Sequence, residues 1–102
     1  MQLYKKKKIE IVVEAARVQK ILAMLEAEGA KGYTIIPQVS GKGHRGIRDE
    51  AHVSDVFRNV SIMVIVAEEN ARKIIEKTQP LLKDYAGIVC IGDVEVVRDE
   101  HF

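Results

Sequence analysis

Ser40-Gly41-Lys42-Gly43-His44-Arg45-Gly46-Ile47-Arg48 gathers three of the chain's seven glycines and four basic side chains into nine residues with no acid among them. Glycine lets main-chain amides turn toward a ligand at close range, and lysine, arginine and histidine supply the charge that a phosphate or carboxylate attracts. Held together on so flexible a backbone, like charges repel until an anion offsets them. The chemistry expected here is anion binding, with the loop ordered by its ligand.

Other readings of the same residues fail on spacing. Gly41-x-Gly43-x-x-Gly46 matches a dinucleotide fingerprint, with Glu68 about twenty residues on as a ribose acid. That fingerprint needs its last glycine to open a packed helix, and Ile47 to Asp55 is too short and polar to form one. His44, His52 and His101 lack metal-ligand spacing, so no metal site is expected. Asp49-Glu50 and Glu68-Glu69 are adjacent pairs, whose side chains would point apart on a strand or extended loop, and no nucleophile stands beside a base. The chain is therefore not expected to be an enzyme.

The elements that position this loop follow from hydrophobic periodicity. Ile9, Ile11 and Val13 give residues from about 6 to 13 the alternation of a strand. Between Ala15 and Glu28 the stripe Val18, Ile21, Leu22 and Leu25 marks an amphipathic helix, capped at its end by Gly29. Tyr33 to Val39 is β-branched, but Pro37 has no amide hydrogen for a ladder, which places this strand at a sheet edge. Residues 47 to 55 form an excursion. Phe57 to Val66, apolar on both faces, reads as a central strand. Asn70 is the expected N-cap of a second helix carrying Ile74, Ile75 and Leu82, with Pro80 kinking it or starting a new turn. Asp84 to Gly87 is a turn, and Ile88 to Val97 a last strand interrupted by a bulge at Gly92-Asp93. Arg98 to Phe102 is expected to be loose.

The order βαββαβ is that of an α+β, ferredoxin-like sandwich in a single domain spanning 1–102. Right-handed crossovers put both helices on one face of the sheet. Val12, Met63, Ile65 and alternate residues of the last strand then lie on an open face too apolar for a monomer, so self-association is expected.

Composition narrows the function classes. The 16 Lys and Arg nearly cancel the 15 Asp and Glu, leaving +1, so bulk charge does not argue for nucleic-acid binding. Aromatic residues are 5% of the chain and form no stacking pattern on the first and third strands, which disfavours RNA binding. A ferredoxin-like RNA-binding module, or a small-anion-binding oligomer with no signalling role, is the alternative. No apolar run is long enough to span a bilayer. The single cysteine, Cys90, lies in an apolar stretch and reads as a small buried hydrophobe, consistent with a cytoplasmic protein. Lys5-Lys6-Lys7-Lys8 is explained by an exposed strand end.

Ala30-Lys31-Gly32-Tyr33-Thr34, Gly41-Lys42-Gly43-x-Arg45-x-x-Arg48 and Asp84-Tyr85-Ala86-Gly87-Ile88, set in the βαββαβ order, resemble the PII-like signalling proteins. The likeness covers nearly the whole chain and is closest to the bicarbonate-linked branch, the PII-like partners of bicarbonate transporters and the carboxysome-associated PII proteins. It implies a homotrimer binding adenine nucleotides in clefts between subunits, where a T-loop at about 41–55 meets a B-loop at about 83–87. Gly41, Lys42, Gly43, His44, Arg45 and Arg48 would contact phosphate or a second small anion. Gly32, Tyr33, Thr34, Gly87 and Ile88 would line base and ribose, and Arg98 would reach across the boundary.

Departures from the main branch limit what the resemblance carries. The T-loop has no tyrosine for uridylylation, and nothing supports 2-oxoglutarate sensing. The B-loop lacks the lysine-bearing phosphate cradle, which argues against tight ATP binding and favours nucleotides with fewer phosphates such as AMP or ADP, with ATP or cyclic AMP as further candidate effectors. Arg45 and Arg48 could hold a nucleotide phosphate and bicarbonate together, coupling the two anions to a T-loop state read by a transporter or carboxysome-related protein.

Overall fold

The computed structural model describes residues 1–40, 59–83 and 86–102. The expected excursion at 47–55, Phe57 at the start of the third strand, and Asp84-Tyr85 lie outside the described residues. The elements are β1 (Tyr4–Glu14), a 3-10 turn (Ala15–Arg17), α1 (Val18–Ala27), β2 (Thr34–Val39), β3 (Asn59–Val66), α2 (Glu68–Leu82) and β4 (Gly87–Val96).

The strands form one sheet in the order β2-β3-β1-β4, and each neighbouring pair is antiparallel. This is the ferredoxin-like arrangement expected from the element order. Register decides which residues meet. Ile9 lies opposite Val64 on one side and Ile91 on the other, and Ile11 lies opposite Ile62 and Val89. Ile9, Ile11, Val13, Val60, Ile62, Val64 and Val66 thereby share the face that the helices cover, and all are buried. Onto them α1 presents Val18, Ile21, Leu22 and Leu25, the four residues of its apolar stripe. From α2 come Ala71 and Ile74, neither exposed at all. Burying an isoleucine of this kind is worth about 1.5–3 kcal/mol.

Local chemistry sets the ends of the elements. Gly29 has φ +92°, the left-handed conformation that ends α1, and a Cβ there would come 2.8 Å from the Asn70 amide nitrogen. Asn70 is not the N-cap of α2. Ala67 holds that position, and the Asn70 side chain instead donates to the Glu28 carbonyl oxygen at 3.0 Å. Glu68 and Glu69, expected on an extended segment, form the first turn of α2, where their charge complements the helix dipole. Pro80 sits inside the last turns of α2, and buried Thr78 satisfies its hydroxyl on the Ile74 carbonyl at 2.6 Å.

β2 is an edge strand, as Pro37 requires. Between Ile36 and Val39 it uses three steps where β3 uses two, and Gln38 inside this bulge has φ 58°. The extra residue keeps Val39 on the face of Ile36 despite the odd separation, and so turns the chain before Ser40. By contrast β4 runs in unbroken register with β1 through Lys8↔Gly92 and Lys7↔Asp93. The bulge expected at Gly92-Asp93 is absent because a strand can carry glycine without losing a ladder step.

The second face of the sheet carries Val12, Met63 and Ile65, all half-buried, and Ile88, 60% exposed. Cys90, aligned with Glu10 on this face, is exposed rather than buried, because β4 is an edge strand with no layer over this side. Nor is the segment after β4 loose. Asp99 pairs with Lys6 at 2.7 Å, and the Phe102 amide donates to the Asp99 carbonyl at 3.4 Å. No helix among the described residues is long and apolar enough to cross a membrane.

Candidate functional site

Six of the residues singled out in the sequence are described, Gly32, Tyr33 and Thr34 at the β2 edge of the sheet and Gly87, Ile88 and Arg98 on or just after β4 at the opposite edge. Gly41, Lys42, Gly43, His44, Arg45 and Arg48 lie outside the described residues, but the strand ends that flank them are placed. Val39 lies opposite Asn59, Asn59 opposite Glu14, and Val13 opposite Gly87. The cationic run therefore departs from the sheet end at which Gly87 and Ile88 begin β4.

Gly87 is held there by close packing. A Cβ on it would lie 3.2 Å from the Val12 carbonyl oxygen and 3.2 Å from a Leu82 methyl, so β1 and α2 both approach its bare backbone. Beside it Ile88 stands opposite Val12 on the open face.

Gly32, Tyr33 and Thr34 form the second group, on the far side of the sheet. The β2–β3 ladder begins at Thr34↔Met63, so Gly32 and Tyr33 precede it, and a cavity of about 150 Å³ opens between them and Met63 to Ile65. His101 and Phe102 supply its remaining wall. Gly32 has open space where a side chain would begin, with no atom within 4 Å of an ideal Cβ. Arg98, exposed, follows β4 beyond the Tyr4↔Val96 pair.

The two groups do not meet within one chain. Thr34 aligns through Met63 and Glu10 with Cys90, three residues along β4 from Gly87. The separation is about 14 Å across three strand spacings and about 10 Å along the strand. A small ligand touching both groups needs a second copy of the chain.

Two ion pairs shape the cavity end. Lys6, whose side chain is 10% exposed, reaches Asp99 and ties the segment after β4 to the open face, which Met63 and Ile65 share. Lys7 pairs with Asp93 across the β1–β4 ladder. The hydrogen bond from Lys7, then its charge, holds the Asp93 carboxyl below the ordinary carboxylate value, and that bond raises the Lys7 ammonium above its own. Two of the four lysines are thus engaged with acids, Lys7 with Asp93 in β4 and Lys6 with Asp99 after it.

His101 and Phe102 line this cavity and are not among the residues that the sequence singles out for binding. One signal was present in the sequence, an aromatic ring closing the charged segment Arg98-Asp99-Glu100-His101. Tyr4, on the open face, is the one aromatic in a strand among the described residues, too few for base stacking across the sheet.

A family model described as nitrogen regulatory protein P-II matches residues 6–101. The chain is similar to CPII from Thiomonas intermedia K12, a nitrogen regulatory PII-like protein whose structure is bound to ADP, AMP and bicarbonate. The two share 33% identity and a TM-score of 0.84, covering 95% of this chain and 92% of that one. A PII-like signalling protein of Thermus thermophilus is 36% identical with a TM-score of 0.79, over 95% of this chain and 94% of that one. The UPF0166 protein of Methanocaldococcus jannaschii is 30% identical over 87 residues, 80% of this chain and 76% of its own.

Proposed function

Because the chain belongs to the nitrogen regulatory protein P-II family, we propose that it is a signalling protein that binds AMP or ADP, together with bicarbonate, between neighbouring copies of itself. The observation that carries this reading is the division of the site. Gly32, Tyr33 and Thr34 lie at the β2 edge of the sheet, while Gly87 and Ile88 lie three strand spacings away at the β4 edge. A nucleotide held by both groups bridges two subunits, and the similar CPII structure, bound to ADP, AMP and bicarbonate, supports this ligand set.

In the proposed assembly three copies turn their open faces toward a central axis, covering Val12, Met63, Ile65 and Ile88. Gly32 to Thr34 of one copy take the base and ribose, and Gly87 and Ile88 of the next complete that wall. Lys42, His44 and Arg45, on the glycine-rich backbone of Gly41 and Gly43, hold the phosphate. Arg48 shares a second anion with them, and Arg98 reaches over the boundary. Guanidinium groups bind carboxylate-like anions in bidentate fashion, so bicarbonate and phosphate in one cationic pocket would be coupled. The loop would then take one arrangement with both anions present and another with the nucleotide alone. We place its output in the cytoplasm, on a bicarbonate transporter or a carboxysome-related protein.

The test is calorimetry and thermal melting with AMP, ADP, ATP and cyclic AMP, each with and without bicarbonate. A ligand bound only by the folded protein must raise its melting temperature. AMP or ADP should give the largest shift, and bicarbonate should change their affinity. No shift with any nucleotide would overturn the reading, and an affinity indifferent to bicarbonate would remove the coupling.

A further inference from the structure

The cavity at Gly32 to Thr34 has more rings around it than the rest of the described chain. Tyr4, Tyr33 and Phe102 are the aromatic residues among those described, and two of them border this one hollow. His101 adds a third ring, with nitrogens able to donate or accept a hydrogen bond.

These rings come from different parts of the chain. Tyr33 enters from the segment before β2, while Phe102 arrives by the strap that follows β4. That strap is tied to the sheet by the ion pair of Asp99 with the largely buried Lys6, and the Phe102 amide on the Asp99 carbonyl closes a turn within it. Phe102 is half-buried, although it follows four exposed residues, Arg98 to His101. It also lies one position beyond the 6–101 span that the P-II family model matches.

We propose that Phe102, supported by His101, is the aromatic wall on which a purine base stacks in this cavity, making it a specificity-determining residue of the nucleotide site. The proposal rests on the nucleotide-binding reading above and adds to it the group that recognises the base. Gly32 also borders the cavity and has no atom within 4 Å of an ideal Cβ. Stacking a base on an aromatic side chain is worth roughly 5- to 150-fold in affinity.

The experiment compares the full chain with Phe102→Leu, which keeps an apolar group but removes the ring, and with Phe102→Tyr, which keeps the ring. AMP affinity is measured by calorimetry, and ligand-free melting temperature and sedimentation are measured alongside. Phe102→Leu should bind AMP at least about fivefold more weakly, with unchanged ligand-free melting and assembly, and Phe102→Tyr should stay close to the parent. Parental affinity in Phe102→Leu overturns the proposal. So does equal weakening in both variants, or a loss of affinity accompanied by lower ligand-free stability. If the parent chain binds neither AMP nor ADP, the nucleotide reading itself falls, a result distinct from parental affinity in the leucine variant.

Discussion

The Asn70 side-chain amide donates to the Glu28 carbonyl oxygen at 3.0 Å, so that the first turn of α2 closes the last turn of α1. The bond depends on Gly29, whose φ of +92° bends the chain away and whose missing side chain leaves room for the amide. Asn70→Ala should cost about 1 kcal/mol, the worth of a partly buried hydrogen bond. Gly29→Ala should cost about 1–2 kcal/mol from left-handed strain alone, and more if the amide is displaced. Because both changes remove the same contact, the double variant should be less destabilised than the sum, as read from urea midpoints.

Two glycines of the proposed site should behave in opposite ways. Gly87→Ala places a methyl 3.2 Å from the Val12 carbonyl and should lower stability by about 1–3 kcal/mol. Gly32→Ala meets nothing within 4 Å and should change stability by less than roughly 0.5 kcal/mol, keeping the ligand-free melting temperature within about 2–4 °C of the parent. Its effect should appear in AMP affinity.

Acid and base should each erase the Lys7–Asp93 contribution. The carboxyl of Asp93 is held below its ordinary 3.8, so its stabilisation is complete above that value and is lost as pH falls through the depressed one. Lys7 is raised above its ordinary 10.5, so its share is complete below 10.5 and is lost as pH rises through the raised value. Asp93→Asn should be slightly less stable than the parent across the intervening plateau, by an amount that salt reduces, and the two should converge in strong acid. Denaturant midpoints across pH, at low and high salt, measure this.

Assembly should depend on the open face. Val12 is half-buried opposite Ile88 and Ser61, and Val12→Glu would put a charge among apolar neighbours once copies come together. Sedimentation should show a shift from trimer toward monomer, with AMP binding lost in parallel. A variant that stays trimeric and binds AMP normally would place the interface elsewhere.

Much of this framework was legible because it depends on period alone. Val18, Ile21, Leu22 and Leu25 could form one face only on a helix, and Ile9, Ile11 and Val13 only on a strand. Pro37 marked an edge because its missing amide is a local property. What escaped depends on neighbours. An asparagine near a helix start can cap it or reach outward, and the residue type does not distinguish an Asn70 that caps α2 from one that closes α1. Cys90 reads as buried from its apolar surroundings, yet the burial of alternate residues on β4 depends on what lies beyond an edge strand. Phe102 finds its place through Lys6 and Asp99, which only the fold brings together. Of the residues around the cavity, Gly32 is singled out in the sequence only through family likeness, while the approach of Phe102 leaves no periodic signal there.

The separation of Gly32 to Thr34 from Gly87 and Ile88 has a consequence for how binding would be measured. If the two halves of the site meet only at a boundary, no subunit owns a complete site and vacancies are counted per interface. Dilution then acts as a competitor, and an affinity measured at one protein concentration will not hold at another. Ligand and subunit become linked reactants: raising either draws in the other, so the chain would register its own abundance as well as that of the nucleotide.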